Sequence, residues 1–326
     1  MDLSLLHRLT DTELDQVREV IRASLASDIA LLNQANGTLL EGGGKMIRPR
    51  MAILVAKACS GGHVTEDTLR FAAAAELMHN ATLLHDDVVD ASPMRRGKPT
   101  VSAVMGGRAS VLLGDFWLVK AVSRILQARN NAEAAVRIFA KTLSDLAEGE
   151  MLQLQKAASC DTVETDYLRI IYGKTASLFE ATAMTAALSV GADAARKKAV
   201  CTYAQQVGTA FQIKDDIFDY QDGANIGKPV GQDMLEQKIT LPLLGAFAQA
   251  PEQEAAVRKQ IAAIHQHPEY QAEIVRYVRE NGGIAYAQRK LGEYVERACI
   301  ALREFPSGEA REGLRTLAAY VADREL

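Results

Sequence analysis

Apolar residues recur at helical spacing through five long stretches, 71–90, 101–128, 132–156, 167–189 and 194–220, and that repetition predicts an all-α core. These stretches are rich in Ala, Leu, Glu, Gln, Lys and Arg, the residues that lose least entropy in a helix, and the whole chain holds only 8 prolines. Turn chemistry follows several of them: Ser92-Pro93, Arg129-Asn130-Asn131 and Asp222-Gly223-Ala224-Asn225. Asp222-Gly223 lies in a polar segment and not between two strand patterns, so strands are expected to be minor. Asp161 and Glu164 read equally as a capping box or as a polar turn before the fourth stretch. No Pro-, Gly- or Ser-rich linker divides the 326 residues, which predicts a single domain over 1–326.

Several function classes fall away on composition. A net charge of −4 gives no broad basic face for nucleic acid. Cys59, Cys160, Cys201 and Cys299 are scattered with no zinc-ligand spacing, which suits reduced thiols in a cytoplasmic protein. The N-terminus mixes acids among its apolar residues, unlike a secretory signal. No uncharged apolar run reaches the roughly 20 residues that span a bilayer, which leaves peripheral membrane association as the only expected membrane contact.

Chemistry enters with two acidic clusters. LLHDDVVD places Asp86, Asp87 and Asp90 at one end of a helical stretch, with Asp86 and Asp90 one turn apart. FQIKDDIFD repeats the spacing with Asp215, Asp216 and Asp219, again just before a polar break. Like charges at this spacing repel, and a helix C-terminus adds negative charge of its own, so both clusters are costly unless cations occupy them. Carboxylate oxygens suit hard ions, and a few of them plus water and phosphate oxygens describe Mg²⁺ shared with a substrate. A single trio reads equally well as a solvated helix end; two at the ends of apolar helices point to the mouth of a cavity.

Cationic partners for a diphosphate lie near these motifs: Arg95 and Arg96 in SPMRRGKPT, Lys174 in YGKTASLF, Lys228 in IGKPV and Lys238 in EQKITLP. EGGGKMIRPR is a second phosphate candidate, with glycines permitting close backbone approach and Lys45 and Arg48 adding charge. It lacks the Walker spacing, so nucleotide hydrolysis is a poor reading. His79, seven residues before Asp86, shares its helix face, whereas His85 points elsewhere and reads as structural.

Together GGGKxxRP, LLHDDVVDxxxxRRGxPT, GKTxxLFE, FQxxDDxxD and GKxxGxDxxExKxTLP resemble the trans-isoprenyl diphosphate synthases. The blocks run in the family's order from about Gly42 to Leu244, and DLSLLHRLTDTELDQV resembles the octaprenyl members of the long-chain branch. The resemblance implies an orthogonal helical bundle around a large central cavity, usually a homodimer, that transfers an allylic prenyl group to isopentenyl diphosphate with Mg²⁺, about three ions per active site. Carried over, Asp86, Asp87, Asp90 and Asp215 would hold Mg²⁺, with Asp216 and Asp219 binding directly or through water. Arg95, Lys174, Thr175, Gln212 and Lys238 would meet the allylic diphosphate, with Lys228 close by. Lys45, Arg48, His79 and Arg96 would bind isopentenyl diphosphate. Met46 and Gln232 depart from the family's usual basic and acidic residues.

Small Ala81 and Thr82, where shorter-chain relatives often carry aromatics, imply an open tunnel and a long product, octaprenyl diphosphate for a quinone such as ubiquinone. Ile125 and Phe139 align with the tunnel floor of relatives. Three alternatives remain at this stage: a shorter-chain synthase, a terpene cyclase or head-to-head synthase, and a regulatory subunit of a heteromeric synthase. The GGGKxxRP segment argues against a cyclase, and retention of the expected ligands argues against a regulatory subunit.

Overall fold

The computed structural model describes residues 3–41, 44–95, 97–221 and 231–324. Helices dominate it: α1 Ser4–Leu25, α2 Ala30–Glu41, α3 Ile47–Ser60, α4 Glu66–Val89, α5 Val101–Met105, α6 Gly107–Leu126, α7 Ala132–Ser159, α8 Glu164–Ile171, α9 Ser177–Ser189 and α10 Ala194–Phe218. The remainder adds α11 Gln232–Leu235, α12 Leu241–Gln249, α13 Pro251–Ala262, α14 Tyr270–Glu280, α15 Gly283–Ala301 and α16 Glu309–Asp323. The strands described are β1 Met94–Arg95 and β2 Lys98–Pro99, a two-residue antiparallel hairpin.

Burial explains the architecture. In α4 the run Phe71, Ala72, Ala73, Ala74, Ala75, Leu77 and Met78 is buried all round the helix, which makes α4 a central element. Its small side chains let α3, α6 and α9 approach closely. Thr65 caps α4: its hydroxyl accepts from the Thr68 N–H at 3.1 Å, and its own N–H donates to Thr68 Oγ1 at 3.2 Å. Helix α10 is the second spine, buried through Val200, Tyr203, Ala204, Val207, Ala210 and Ile213 against α9 and α15.

Two of the expected helices are interrupted. Residues 101–128 form α5 and α6, because Gly106 adopts φ +85°, ψ 154°, a conformation only glycine takes readily. Residues 167–189 hold a π-helical turn, Tyr172–Ala176, between α8 and α9. A Cβ on Gly173 would stand 2.6 Å from the Asp145 carbonyl oxygen and 3.0 Å from Gly149 Cα, so glycine lets this turn press onto α7. The π-turn carries Lys174 and Thr175, in keeping with the frequent placement of such bulges at functional sites.

Asp161 does not cap α8. It accepts from Ser159 and pairs with Lys156 at 3.2 Å, while the Val163 N–H before α8 is taken by Asp166. The polar-turn reading is the one realised. No helix among the described residues is long and apolar enough to cross a membrane.

Candidate active site

The first trio closes α4. Asp86 and Asp87 occupy its last turn and Asp90 follows as the C-cap, where the orphan carbonyls concentrate negative charge. The second trio closes α10 in the same way, with Asp219 as C-cap. One cavity of about 130 Å³ is lined by Asp216 of the second trio together with Lys174, Gln212 and Lys238. Asp86 feels Lys174 electrostatically, and Lys238 feels Asp90, so the first trio lies within electrostatic range of two lysines of this cavity.

The carboxylates are in unequal environments. Burial, then repulsion from Glu150 and Asp90, pushes Asp86 up to about 6 despite Lys174 and Arg95. Asp87 is 4% exposed and accepts from Arg95 Nε at 2.7 Å. Asp215 accepts from Arg324 Nη2 at 2.6 Å. Burial and the charge of Asp233 push Asp216 and Asp219 upward as well. Asp216 accepts from the Tyr167 hydroxyl at 2.6 Å and Gln212 Nε2 at 2.9 Å. Asp219 accepts from the backbone N–H groups of Gly231, Gln232 and Asp233 at 2.9–3.1 Å, pinning the start of α11 beneath α10.

The cations are held by partners a diphosphate could replace. Lys174 Nζ lies 2.8 Å from Glu150 and 2.9 Å from Gln153, both on α7. Burial alone would lower the pKa of Lys238, but Asp233 and Glu236 outweigh it and raise it, so Lys238 is cationic in its cavity. Thr175 Oγ1 donates to Gln212 Oε1 at 2.7 Å.

A second basic group sits beyond α10. The Arg48 guanidinium lies 4.5 Å from the Phe179 ring centroid, and Phe179 stacks 5.6 Å from Phe211, over which Arg324 lies at 3.9 Å. Lys45 Nζ is 5.7 Å from the Tyr320 ring on α16. Lys45, Arg48 and Asp215 thus border the end of α16. His79 is partly buried on α4, with its carbonyl accepting from Thr82 Oγ1 at 2.8 Å. His85 faces Asp115 on α6 at 3.3 Å, the structural placement expected of it. Arg96 and Lys228 lie outside the described residues, as does the 222–225 turn. Ala81 is fully buried on α4, and Ile125 and Phe139 are 1% exposed on α6 and α7.

Five residues at the site escaped sequence reasoning. Glu150 and Gln153 stand one turn apart on α7 and meet Lys174, a contact that helical spacing alone does not announce. Asp233 lies inside the GxDxxExK segment, where its position in the motif was a usable signal. Tyr167 and Arg324 lie 49 and 109 residues from the acids they bind, and nothing local marks either.

The arrangement can hold divalent cations. Burial first, and then the charges of Glu150 and Asp90, disfavour the ionised form of Asp86, and a bound cation would offset both. Among the described residues no three such groups form a ready-made metal cage. Mg²⁺ does not need one, because it keeps water and takes substrate phosphate oxygens beside one or two carboxylates. Mixed with lysines, such a site can bind and pull away a diphosphate.

Known proteins resemble this chain along its length. The polyprenyl synthetase family matches residues 29–279. The octaprenyl diphosphate synthase of Haemophilus influenzae is 38% identical over 99% of this chain and 98% of its own length. That of Escherichia coli is 37% identical over the full length of both. A polyprenyl synthase from Caulobacter crescentus, solved in complex with calcium and isoprenyl diphosphate, superposes with a TM-score of 0.91 at 34% identity, over 100% of this chain and 98% of that one. The fold is therefore the all-α isoprenoid synthase bundle, and the alternatives of a cyclase and of a non-catalytic subunit are set aside. With two helices that each end in an aspartate trio, lysines close to both, and similarity along the whole chain, this protein belongs to the polyprenyl synthetase family, the prenyltransferases that lengthen trans-prenyl diphosphates.

Proposed function

We propose that the chain, acting as one domain over 1–326, condenses isopentenyl diphosphate repeatedly onto an allylic primer such as farnesyl diphosphate and releases octaprenyl diphosphate for a quinone side chain, ubiquinone in particular. One observation carries the reading: Asp216 of the second trio lines a cavity beside Lys174 and Lys238, and Asp86 and Asp90 of the first trio lie within electrostatic range of those same two lysines.

In this reading Asp86, Asp87, Asp90 and Asp215 hold Mg²⁺, with Asp216 and Asp219 in support, and about three ions are bound. When bound, Mg²⁺ neutralises the diphosphate and makes it a better leaving group. Lys174 and Lys238 give up Glu150 and Glu236 to bind the allylic diphosphate, with Arg95, Thr175, Gln212 and Lys228 orienting it. Lys45, Arg48, His79 and Arg96 hold isopentenyl diphosphate beside it. As the allylic carbon–oxygen bond breaks, the double bond of isopentenyl diphosphate attacks the carbon. The proton then lost goes to the departing diphosphate. Apolar walls exclude the water that would otherwise capture the cation.

The product grows along α4 past Thr82 and Ala81, whose small side chains leave room. Helix α6 runs antiparallel beside α4, tied at one end where Ser110 Oγ donates to the Leu84 carbonyl at 2.8 Å. Ile125 lies 15 residues further on, about 22 Å at the helical rise, and with Phe139 closes the floor. The chain works in the cytoplasm as a homodimer, touching the membrane surface only to release product.

The test is to incubate the purified protein with farnesyl diphosphate, isopentenyl diphosphate and Mg²⁺ and size the dephosphorylated products. Eight isoprene units are expected, Asp86→Ala and Asp215→Ala should each lower turnover by orders of magnitude, and Phe139→Ala should lengthen the product. Near wild-type rates in either aspartate variant would refute the reading.

A further inference from the structure

Three hydrogen bonds run in series along the cavity wall. The Tyr167 hydroxyl on α8 donates to Asp216 Oδ2 at 2.6 Å. The other oxygen of Asp216 accepts from Gln212 Nε2 at 2.9 Å, one turn earlier on α10. Gln212 Oε1 in turn accepts from Thr175 Oγ1 at 2.7 Å in the π-turn. The series thereby links three elements, α8, α10 and the π-turn.

The polarity of this series matters. The donor side of the Gln212 amide meets a carboxylate and its acceptor side meets a hydroxyl, so a flipped amide would set its oxygen against Asp216. Its orientation is therefore fixed. A primary amide has two N–H donors, and Asp216 takes one. Gln212 lines the cavity that also holds Lys174 and Lys238, so the second donor is available to a ligand there. Tyr167 is 3% exposed and Asp216 is 4% exposed, and each oxygen of Asp216 already holds a protein donor. Both oxygens of Asp216 are thus engaged by the groups it joins, Tyr167 on one side and the Gln212 amide on the other.

We propose that Tyr167 is a positioning residue which, through Asp216, aims Gln212 at the allylic diphosphate, and that Asp216 serves as the orienting acceptor between them and not as a metal ligand. The proposal rests on the function inferred above and refines it at one of its six aspartates. Tyr167 acts by holding a carboxylate whose other oxygen holds the amide.

The experiment is isothermal titration calorimetry of the full-length protein with Mg²⁺ and a non-reactive farnesyl thiodiphosphate, alongside steady-state kinetics. Tyr167→Phe should weaken the analogue and raise the KM for farnesyl diphosphate roughly ten-fold, the scale of losing a hydrogen bond to a charged group. The KM for isopentenyl diphosphate and the half-saturating Mg²⁺ should stay within about two-fold, since Tyr167 acts only on the amide. Joined to Gln212→Ala, Tyr167→Phe should add nothing further. Asp216→Asn can keep both bonds, with its oxygen accepting from Gln212 and its amide donating to Tyr167, so its Mg²⁺ half-saturation should remain near wild type. A rise in that value matching Asp215→Asn would overturn the proposal, as would additive effects in the double variant. Should Asp215→Asn bind Mg²⁺ and turn over as wild type, the failure is that of the metal assignment, and the double variant still decides the role of Tyr167.

Discussion

Asp86 stands between two carboxylates, Glu150 and Asp90, and two cations, Lys174 and Arg95, and burial with the carboxylates prevails, lifting it to about 6. Asp216 and Asp219 are lifted in the same direction by burial and by Asp233. The consequence for stability has a definite sign. A carboxyl whose folded pKa exceeds its unfolded 3.8 holds more protons in the folded state, so it stabilises the fold at low pH and loses that contribution as pH rises through about 4 to 6 for Asp86. A divalent cation bound to the ionised form reverses the loss. The expected outcome is that the gap between Tm with Mg²⁺ and Tm with a chelator widens by several degrees from pH 5.5 to 7.5. Scanning calorimetry measures it, and a gap that does not change with pH would count against these acids as the metal site. The two DDxxD triplets were readable in the sequence because their spacing is local. Their unequal surroundings were not, since Glu150 lies 64 positions from Asp86 and Asp233 lies 17 from Asp216.

At the scale of elements, the site depends on how helices end and where they are interrupted. Both trios sit at C-termini, where the dipole adds to their repulsion and where a bound cation gains most. The π-turn, which rests on α7 through Gly173 and Gly149, puts Lys174 in the cavity wall and Thr175 against Gln212. Gly173→Ala should force the turn off α7, because its Cβ would lie 2.6 Å from the Asp145 carbonyl oxygen. Overpacking of this kind costs about 1–3 kcal/mol. Turnover should fall further than that loss of stability explains, because Lys174 moves with the turn. Thermal melting and kcat measured together check this, and wild-type turnover in a folded variant would remove the turn from the mechanism. Apolar periodicity located the helices, but it ran through residue 106 and through the π-turn, because neither break changes which side is apolar.

For the whole molecule, the outer face of α6 is unusual. Leu112, Val119 and Leu126 are about 60% exposed and recur every seven residues, with Val111 and Val122 beside them. Such a stripe is the pattern of one helix packing on another. It supports the proposed homodimer, with the α6 helices of two copies in contact. Val119→Glu together with Leu126→Glu should convert a dimer to a monomer in size-exclusion chromatography with light scattering, and an unchanged mass would place the interface elsewhere. By itself the sequence determined the all-α class, both acidic motifs and the set of basic candidates, because each is a matter of composition or of spacing within one or two helical turns. Only the tertiary structure decided which donors answer which acids: Arg95 for Asp87, Arg324 for Asp215, and the hydroxyl of Tyr167 for Asp216. Two of those pairings join residues brought together by helices packing across the bundle, and in them proximity is a property of the packed core and not of the order of residues along the chain.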